Sequence, residues 1–315
     1  MTNQLQKNII ATITYFDVND YPLTSFEIWK HLIKASSSIK ENIERNNWSL
    51  TEVIQTLETK EVKKYVAQKN GFYFLYGREK LVQIRNKREV ISVYKIKKLR
   101  RKAFLLRFVP FVRMICLTGK LSQKNGSDKS DLDVFIVLKN GHIWTGRFLF
   151  TAITQLFGWR RYGKKQKNRI CLNYYVTEKS LKVPTQDLFS AQEYSFILPI
   201  FDSGKIFDKF QQNNLAWMRE YKPNYNFSEF KSELTIFDSK FSHWFKAIFE
   251  KLFSFKFIEN QMRKFQKQKI LDNPKTSEFG ALIIANDDHL VFLPEPHGPK
   301  VFSEYKRRFE ALELS

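Results

Sequence analysis

Residues 130–138 read Ser-Asp-Leu-Asp-Val-Phe-Ile-Val-Leu, and this stretch constrains the fold more tightly than any other. Side chains alternate across a strand, so Asp131 and Asp133 share one side while Leu132 and Val134 enter a core. Two carboxylates at the mouth of an apolar strand repel each other unless a cation sits between them. Hard oxygen ligands of this kind suit Mg2+, held by one or two carboxylates and completed by substrate phosphates. An earlier apolar run, Phe108 to Leu117, reads partly as a buried strand and stops at Thr118-Gly119-Lys120. Ten residues, 121–130, separate that glycine turn from Asp131. Gly126-Ser127 lies too close to Asp131 to serve as the opposing turn.

Upstream, apolar residues fall at helical spacing from Gln4 to Phe16, and the chain breaks at Asp17 to Pro22. Thr24 with Glu27, and Ser49 with Glu52, have capping-box spacing and open a second and a third helix, the third ending near Leu57. Lys64 to Phe74 then alternates around Asn70-Gly71, a dipeptide suited to a type I′ hairpin. Three helices and a hairpin make a winged helix over residues 1–77. Its third helix carries Glu52 and Glu58 with no Lys or Arg before Lys60. Phosphate repulsion therefore disfavours insertion into a DNA groove, and docking to a partner is the preferred reading. Residues 78–107 hold twelve Lys or Arg against two Glu, with apolar positions for one long linking helix whose other side is basic.

Downstream, Ile143 to Phe157 reads as a helix and Arg169 to Val176 as a third core strand. The run of apolar strand, glycine turn, about ten residues and Asp-x-Asp inside a second apolar strand resembles the DNA polymerase beta-like nucleotidyltransferase superfamily. Leu198-Pro199-Ile200, Asn214-Leu215-Ala216-Trp217 and Pro223-Asn224 look like the helical tail of stand-alone bacterial members. The resemblance covers about residues 105–224, and a winged helix is a familiar companion domain.

It implies transfer of a nucleoside monophosphate from an NTP to a hydroxyl of an unidentified acceptor. Asp131 and Asp133 would be the catalytic and metal-holding pair for Mg2+, and Gly119, Lys120, Ser130 and Arg147 would line the nucleotide. The basic loop Arg160, Arg161, Lys164, Lys165 and Lys167 either adds charge around the cleft or is simply solvated surface. Two positions depart from the family pattern. Lys120 stands where a small residue usually follows the glycine. The third carboxylate position falls at Asn173, since Cys171, Asn173 and Tyr175 would share one strand face. The alternative is a catalytically lapsed member that binds nucleotide, nucleic acid or a protein partner.

The expected architecture is α+β: a winged helix (1–77), the basic linking helix (78–107), a mixed-sheet nucleotidyltransferase core (108–180), and a helical C-terminal region with a small hairpin (181–315). In that last region Phe241 to Lys267 places Phe241, Trp244, Phe245, Phe249, Phe253 and Phe257 at helical intervals among Lys and Glu. Packing on the core is the preferred reading, a membrane-surface helix the other. The chain has 53 Lys or Arg against 32 Asp or Glu, a net charge of +21, which attracts anionic partners. Cys116 and Cys171 lie inside apolar runs and read as buried thiols of a reducing, cytoplasmic protein. No stretch is long and uncharged enough for a membrane span. Asp287, Asp288, His289, Glu295 and His297 have no recognised metal spacing, and P-loop, Rossmann and Ser-His-Asp signatures are missing.

Overall fold

The structure, a computed structural model, describes residues 3–35, 47–227 and 234–312. The chain opens with α1 (Gln4–Asp17), β1 (Leu23–Thr24), α2 (Ser25–Lys30), α3 (Leu50–Leu57), α4 (Lys60–Lys63), β2 (Val66–Lys69) and β3 (Phe72–Leu75). Both expected capping boxes form, Thr24 with Glu27 on α2 and Ser49 with Glu52 on α3. Asn70 and Gly71 both adopt positive φ, +52° and +80°, as a two-residue I′ turn requires. β2 and β3 pair antiparallel across it, and β1 completes a three-stranded sheet in the order β1-β3-β2.

The basic segment forms α5 (Leu81–Leu106). Three of its cations are buried: Arg85, Lys95 and Lys102. An ammonium group carries three donors and no acceptor, so burying it requires oxygens around it. Lys95 Nζ donates to the carbonyls of Asp128 (2.8 Å) and Ser130 (2.6 Å), and Lys102 Nζ to that of Asn168 (2.8 Å). The helix thereby clamps two loops, one of which leads directly into Asp131.

There follow β4 (Val112–Leu117), α6 (Gly119–Ser122), β5 (Leu132–Leu138), α7 (Ile143–Leu156), β6 (Ile170–Thr177), α8 (Leu188–Ser195), β7 (Leu198–Asp202), α9 (Ile206–Tyr221), β8 (Ile236–Phe237), α10 (Lys240–Phe253), α11 (Lys256–Leu271), β9 (Leu282–Ala285), β10 (His289–Leu293) and α12 (His297–Glu310). The protein is thus mixed α+β, with a seven-stranded mixed sheet in the order β8-β7-β4-β5-β6-β10-β9. β5 and β6 run parallel, while β4 is antiparallel to both β5 and β7. One face of the sheet buries Leu132, Val134, Ile136 and Tyr175 with Leu99, Trp144 and Phe150 of α5 and α7. The other buries Met114, Cys116, Phe135 and Val137 with Tyr194, Phe210 and Met218 of α8 and α9.

Several C-terminal segments differ from expectation. Four of the seven strands come from beyond residue 180, where the core was expected to end. Leu198-Pro199-Ile200, expected in a helical tail, lies in β7. Proline has no N–H to donate, and the β4–β7 register shifts between Ile115 and Cys116, where Cys116 faces Pro199. The small hairpin β9–β10 joins the main sheet through β10 and β6. Residues 241–267 fall in two helices, broken at Ser254 and Phe255.

The Asn-Leu-Ala-Trp and Pro-Asn segments hold elements together. Asn214 is fully buried and binds Val183 N, Leu181 O and the Trp217 indole. Asn224 donates to Trp29 O and accepts from Trp48 N. It thus ties the N-terminal helices to the end of α9.

Candidate functional site

The site lies where β4 ends, β5 begins and α8 crosses above them. After Leu117 the backbone turns through Gly119 at φ +68°, and a Cβ built there would stand 2.8 Å from Asp133 Oδ2. That contact and that dihedral both favour glycine. Thr118 N donates to Asp133 O (3.0 Å), holding the turn against β5. Asp131 precedes β5 and Asp133 is its second residue, while Leu132 and Val134 are buried on the opposite face. The two acids share a side, with a carboxylate oxygen of each within 4.8 Å of the other, and Asp133 lies against the glycine turn.

On the parallel neighbour β6, Cys171 pairs with Asp133 and Tyr174 with Phe135. β6 therefore spends two residues, Leu172 and Asn173, where β5 spends one. This bulge breaks the alternation that would have put Tyr175 on the same face as Cys171 and Asn173. Tyr174 packs beside Phe135 beneath α8 and α9, whereas Tyr175 meets Phe150 on the other face. The β6 residue facing Asp133 is Cys171. One carboxylate oxygen from each of Asp131 and Asp133 and the Cys171 sulfur lie within 4.8 Å of one another, the one such group of metal-type ligands among the described residues.

Charge in this corner is only partly offset. Burial, then the adjacent charge of Asp131, push Asp133 up to about 7. Burial and both carboxylates push the Cys171 thiol up to about 12. Arg161 donates from Nη1 to Asp131 Oδ2 at 2.6 Å and approaches Cys171 Sγ at 3.6 Å. Of the five basic loop residues it is the one placed on the acidic pair. Lys167 binds the exposed Asp128, and Lys164 and Lys165 are exposed.

Sequence reasoning gave no role to Glu193 of α8. Burial, then the charge of Asp133, push its carboxyl up to about 7, and an interaction with the Gly119 backbone works against that rise. A single Glu in a helical segment sixty residues downstream carries no local signal. Only the packing of α8 on the sheet brings it to the glycine turn.

The other expected nucleotide-lining residues divide. Lys120 is exposed on α6, so its side chain does not fill the corner. Ser130 shapes the entry to Asp131: its Oγ accepts from Ser127 N (2.9 Å) and its carbonyl from Lys95. Arg147 is not brought to the site. It lies on the opposite face of the sheet, donating to Gln266 Oε1 (2.5 Å), with its guanidinium 4.5 Å from the Phe292 ring centroid. The acidic and imidazole residues 287–297 form no ligand cluster, since Asp287 is taken by the Trp144 indole and Arg263, and Asp288 by Thr177.

A hard divalent cation fits the two carboxylates, because the register forces them together and leaves Asp133 costly to ionise. Cys171 adds nothing to such a site, since thiolates prefer softer metals. Compared with protein-family models, curated proteins and solved structures, the chain matches none.

Proposed function

We propose that this protein is a DNA polymerase beta-like nucleotidyltransferase that moves a nucleoside monophosphate from an NTP to a hydroxyl of an acceptor. The observation that carries the reading is the Gly119 turn, stripped of a side chain and set directly against Asp133 beside Asp131. In the reaction the acceptor oxygen bonds to the α-phosphorus, the bond from that phosphorus to the β-phosphate oxygen breaks, and pyrophosphate leaves with the electron pair. Asp131 and Asp133 would hold Mg2+, which would supply charge neutralisation for the reacting phosphate. The open backbone at Gly119 lets the triphosphate approach. Arg161, already within reach of Asp131, exchanges that carboxylate for a phosphate oxygen, a pairing its planar fork suits. Glu193, near neutrality in its pKa, suits receipt of the hydroxyl proton. The N-terminal helices and hairpin act as a winged helix used for docking, given the acidic Glu52 on α3 and Glu58 at its end.

A second reading has its own support. Arg161 already neutralises Asp131, and a thiol rather than a carboxylate faces Asp133, which favours a lapsed member that binds nucleotide without transfer. Incubating the full chain with each labelled NTP, Mg2+ and cell extract separates the two. Transfer predicts a labelled acceptor and released pyrophosphate, abolished by Asp131→Ala with the circular dichroism spectrum unchanged. NTP binding with no pyrophosphate from any of the four nucleotides refutes transfer and leaves the binding reading standing.

A further inference from the structure

Helix α10 buries a polar stripe and exposes an apolar one. Its buried positions are Ser242, Lys246 and Glu250, with Phe245, Phe249 and Phe253 half-buried beside them, while Phe241, Trp244, Ile248 and Leu252 are 61%, 58%, 48% and 58% exposed. Spacings of three and four residues place these four on one stripe, opposite the buried polar one. An ordinary surface helix has the reverse arrangement.

The polar stripe faces inward because the end of the sheet needs it. Glu250 accepts from Phe111 N (3.0 Å) and from both terminal nitrogens of Arg113 (2.7 and 2.9 Å). Lys246 pairs with Asp238 and reaches the Val112 carbonyl, and Ser242 donates to Asp238. With those contacts fixed, the apolar stripe has nowhere to point but outward. It continues past the helix in both directions. Phe108 packs on Phe241 and Phe245 at 6.0 and 5.6 Å, and Phe255 and Phe257, at the corner with α11, are 62% and 70% exposed.

The exposed charge on α10 and at its corner with α11 is positive. Lys240, Lys251 and Lys256 are exposed, whereas the carboxylates of this stretch, Glu250 and Glu259, are both buried, and the next exposed carboxylate is Asp272 at the far end of α11. A second copy of the chain on a two-fold axis would set this lysine-fringed surface against itself. An anionic headgroup layer complements it, drawing in the lysines while Phe and Trp rings enter the acyl boundary. Among the described residues no helix is long and apolar enough to cross a membrane, and the contact argued for is one at the membrane surface.

We propose that α10 and its corner with α11 are a docking surface for an anionic lipid bilayer. The surface meets β4 at Val112 and Arg113, and the carboxylate pair lies beyond the other end of that strand, ~20 Å away at about 3.3 Å per residue. Docking leaves the candidate site open to solvent. The inference stands independently of the nucleotidyltransferase reading.

The test is flotation of the full chain with phosphatidylcholine vesicles, with and without phosphatidylserine, at low and high salt. The wild type should float with the phosphatidylserine vesicles and detach at high salt. Trp244→Ser/Ile248→Ser/Leu252→Ser removes only exposed side chains, so its thermal unfolding should match the wild type, and its vesicle affinity should fall on the order of a hundredfold or more. Lys251→Glu/Lys256→Glu should lose affinity at least about fivefold per lysine at low salt. Failure of the wild type to float, or undiminished flotation of the triple variant, overturns the proposal. A wild-type dimer in sedimentation that the triple variant splits, with neither species floating, overturns it in favour of a second copy.

Discussion

Replacing Asp133 with asparagine keeps the side chain's shape and removes its charge, so it isolates the cost of holding two carboxylates at the Gly119 turn. In the folded protein the carboxyl is pushed from 3.8 up to about 7, by burial first and Asp131 second. Below the unfolded value both states are protonated and the group contributes nothing. Between 3.8 and about 7 the native state keeps a proton that the unfolded chain has released, so stability falls as pH rises through that window and stays low above it. At about 1.4 kcal/mol per unit, the full cost is on the order of 4 kcal/mol. An amide N–H without a partner in the corner returns about 1 kcal/mol of it. Asp133→Asn should therefore be more stable than the wild type by about 3 kcal/mol at ~pH 8 without divalent ions, and at ~pH 4 the advantage should disappear. At roughly 2 °C per kcal/mol for a chain of this size, Tm should rise by about 6 °C. Glu193 titrates in the same direction, so the slope of stability against pH should flatten without vanishing. Added Mg2+ should largely erase that difference, because a ligand at a hundredfold excess over its Kd stabilises the wild type by about 3 kcal/mol, while the variant has lost one of its two carboxylates and gains less. Thermal unfolding across that pH range, with and without Mg2+, measures all of this. An equal or lower Tm for the variant at ~pH 8, or an unaltered slope, refutes the claim that Asp133 is held against its own charge.

Two further outcomes follow from the same contacts. Gly119→Ala forces a Cβ to 2.8 Å from Asp133 Oδ2 at φ +68°; urea denaturation should show a loss of at least about 1–2 kcal/mol, and the Mg2+-dependent rise in Tm should disappear. Glu250 is opposed by burial, yet its hydrogen bonds with Arg113 outweigh that and hold it at about 2. Its contribution is present above the ordinary 4.5 and is lost as pH falls toward 2. Glu250→Ala, which strands Arg113, should cost about 3–5 kcal/mol at neutral pH, whereas in acid below ~pH 2 its stability should approach that of the wild type.

The features legible in the sequence are those written within a few residues. The boxes at Thr24 and Ser49, the Asn70-Gly71 turn and the apolar runs of β4, β5 and β6 each follow from local cap chemistry, turn geometry or a two-residue period. Asp131 and Asp133 share a side for the same reason, since one strand period fixes it. The expectation that Cys171, Asn173 and Tyr175 share one face does not survive at Tyr175, which packs on the opposite side of the sheet. The bulge in β6 is a property of the pairing with β5, and one extra residue turns every later side chain over.

The sequence by itself thus determined the helices and strands up to β6, and that a pair of acids would stand at the mouth of a buried strand beside a glycine turn, but not that Leu198–Asp202 would join the sheet as β7. Tertiary structure alone decided what surrounds that pair and what faces the solvent. Cys171 meets Asp133 through cross-strand register, Glu193 reaches the turn through the packing of α8, and Arg161 reaches Asp131 from a loop thirty residues on. The lysines of α5 became clamps because loop carbonyls needed donors, and α10 turned the stripe of Phe241, Trp244, Ile248 and Leu252 outward because Arg113 and the Phe111 amide needed Glu250. Buried polar groups must find partners wherever the fold places them, and those partners come from segments that no local pattern links.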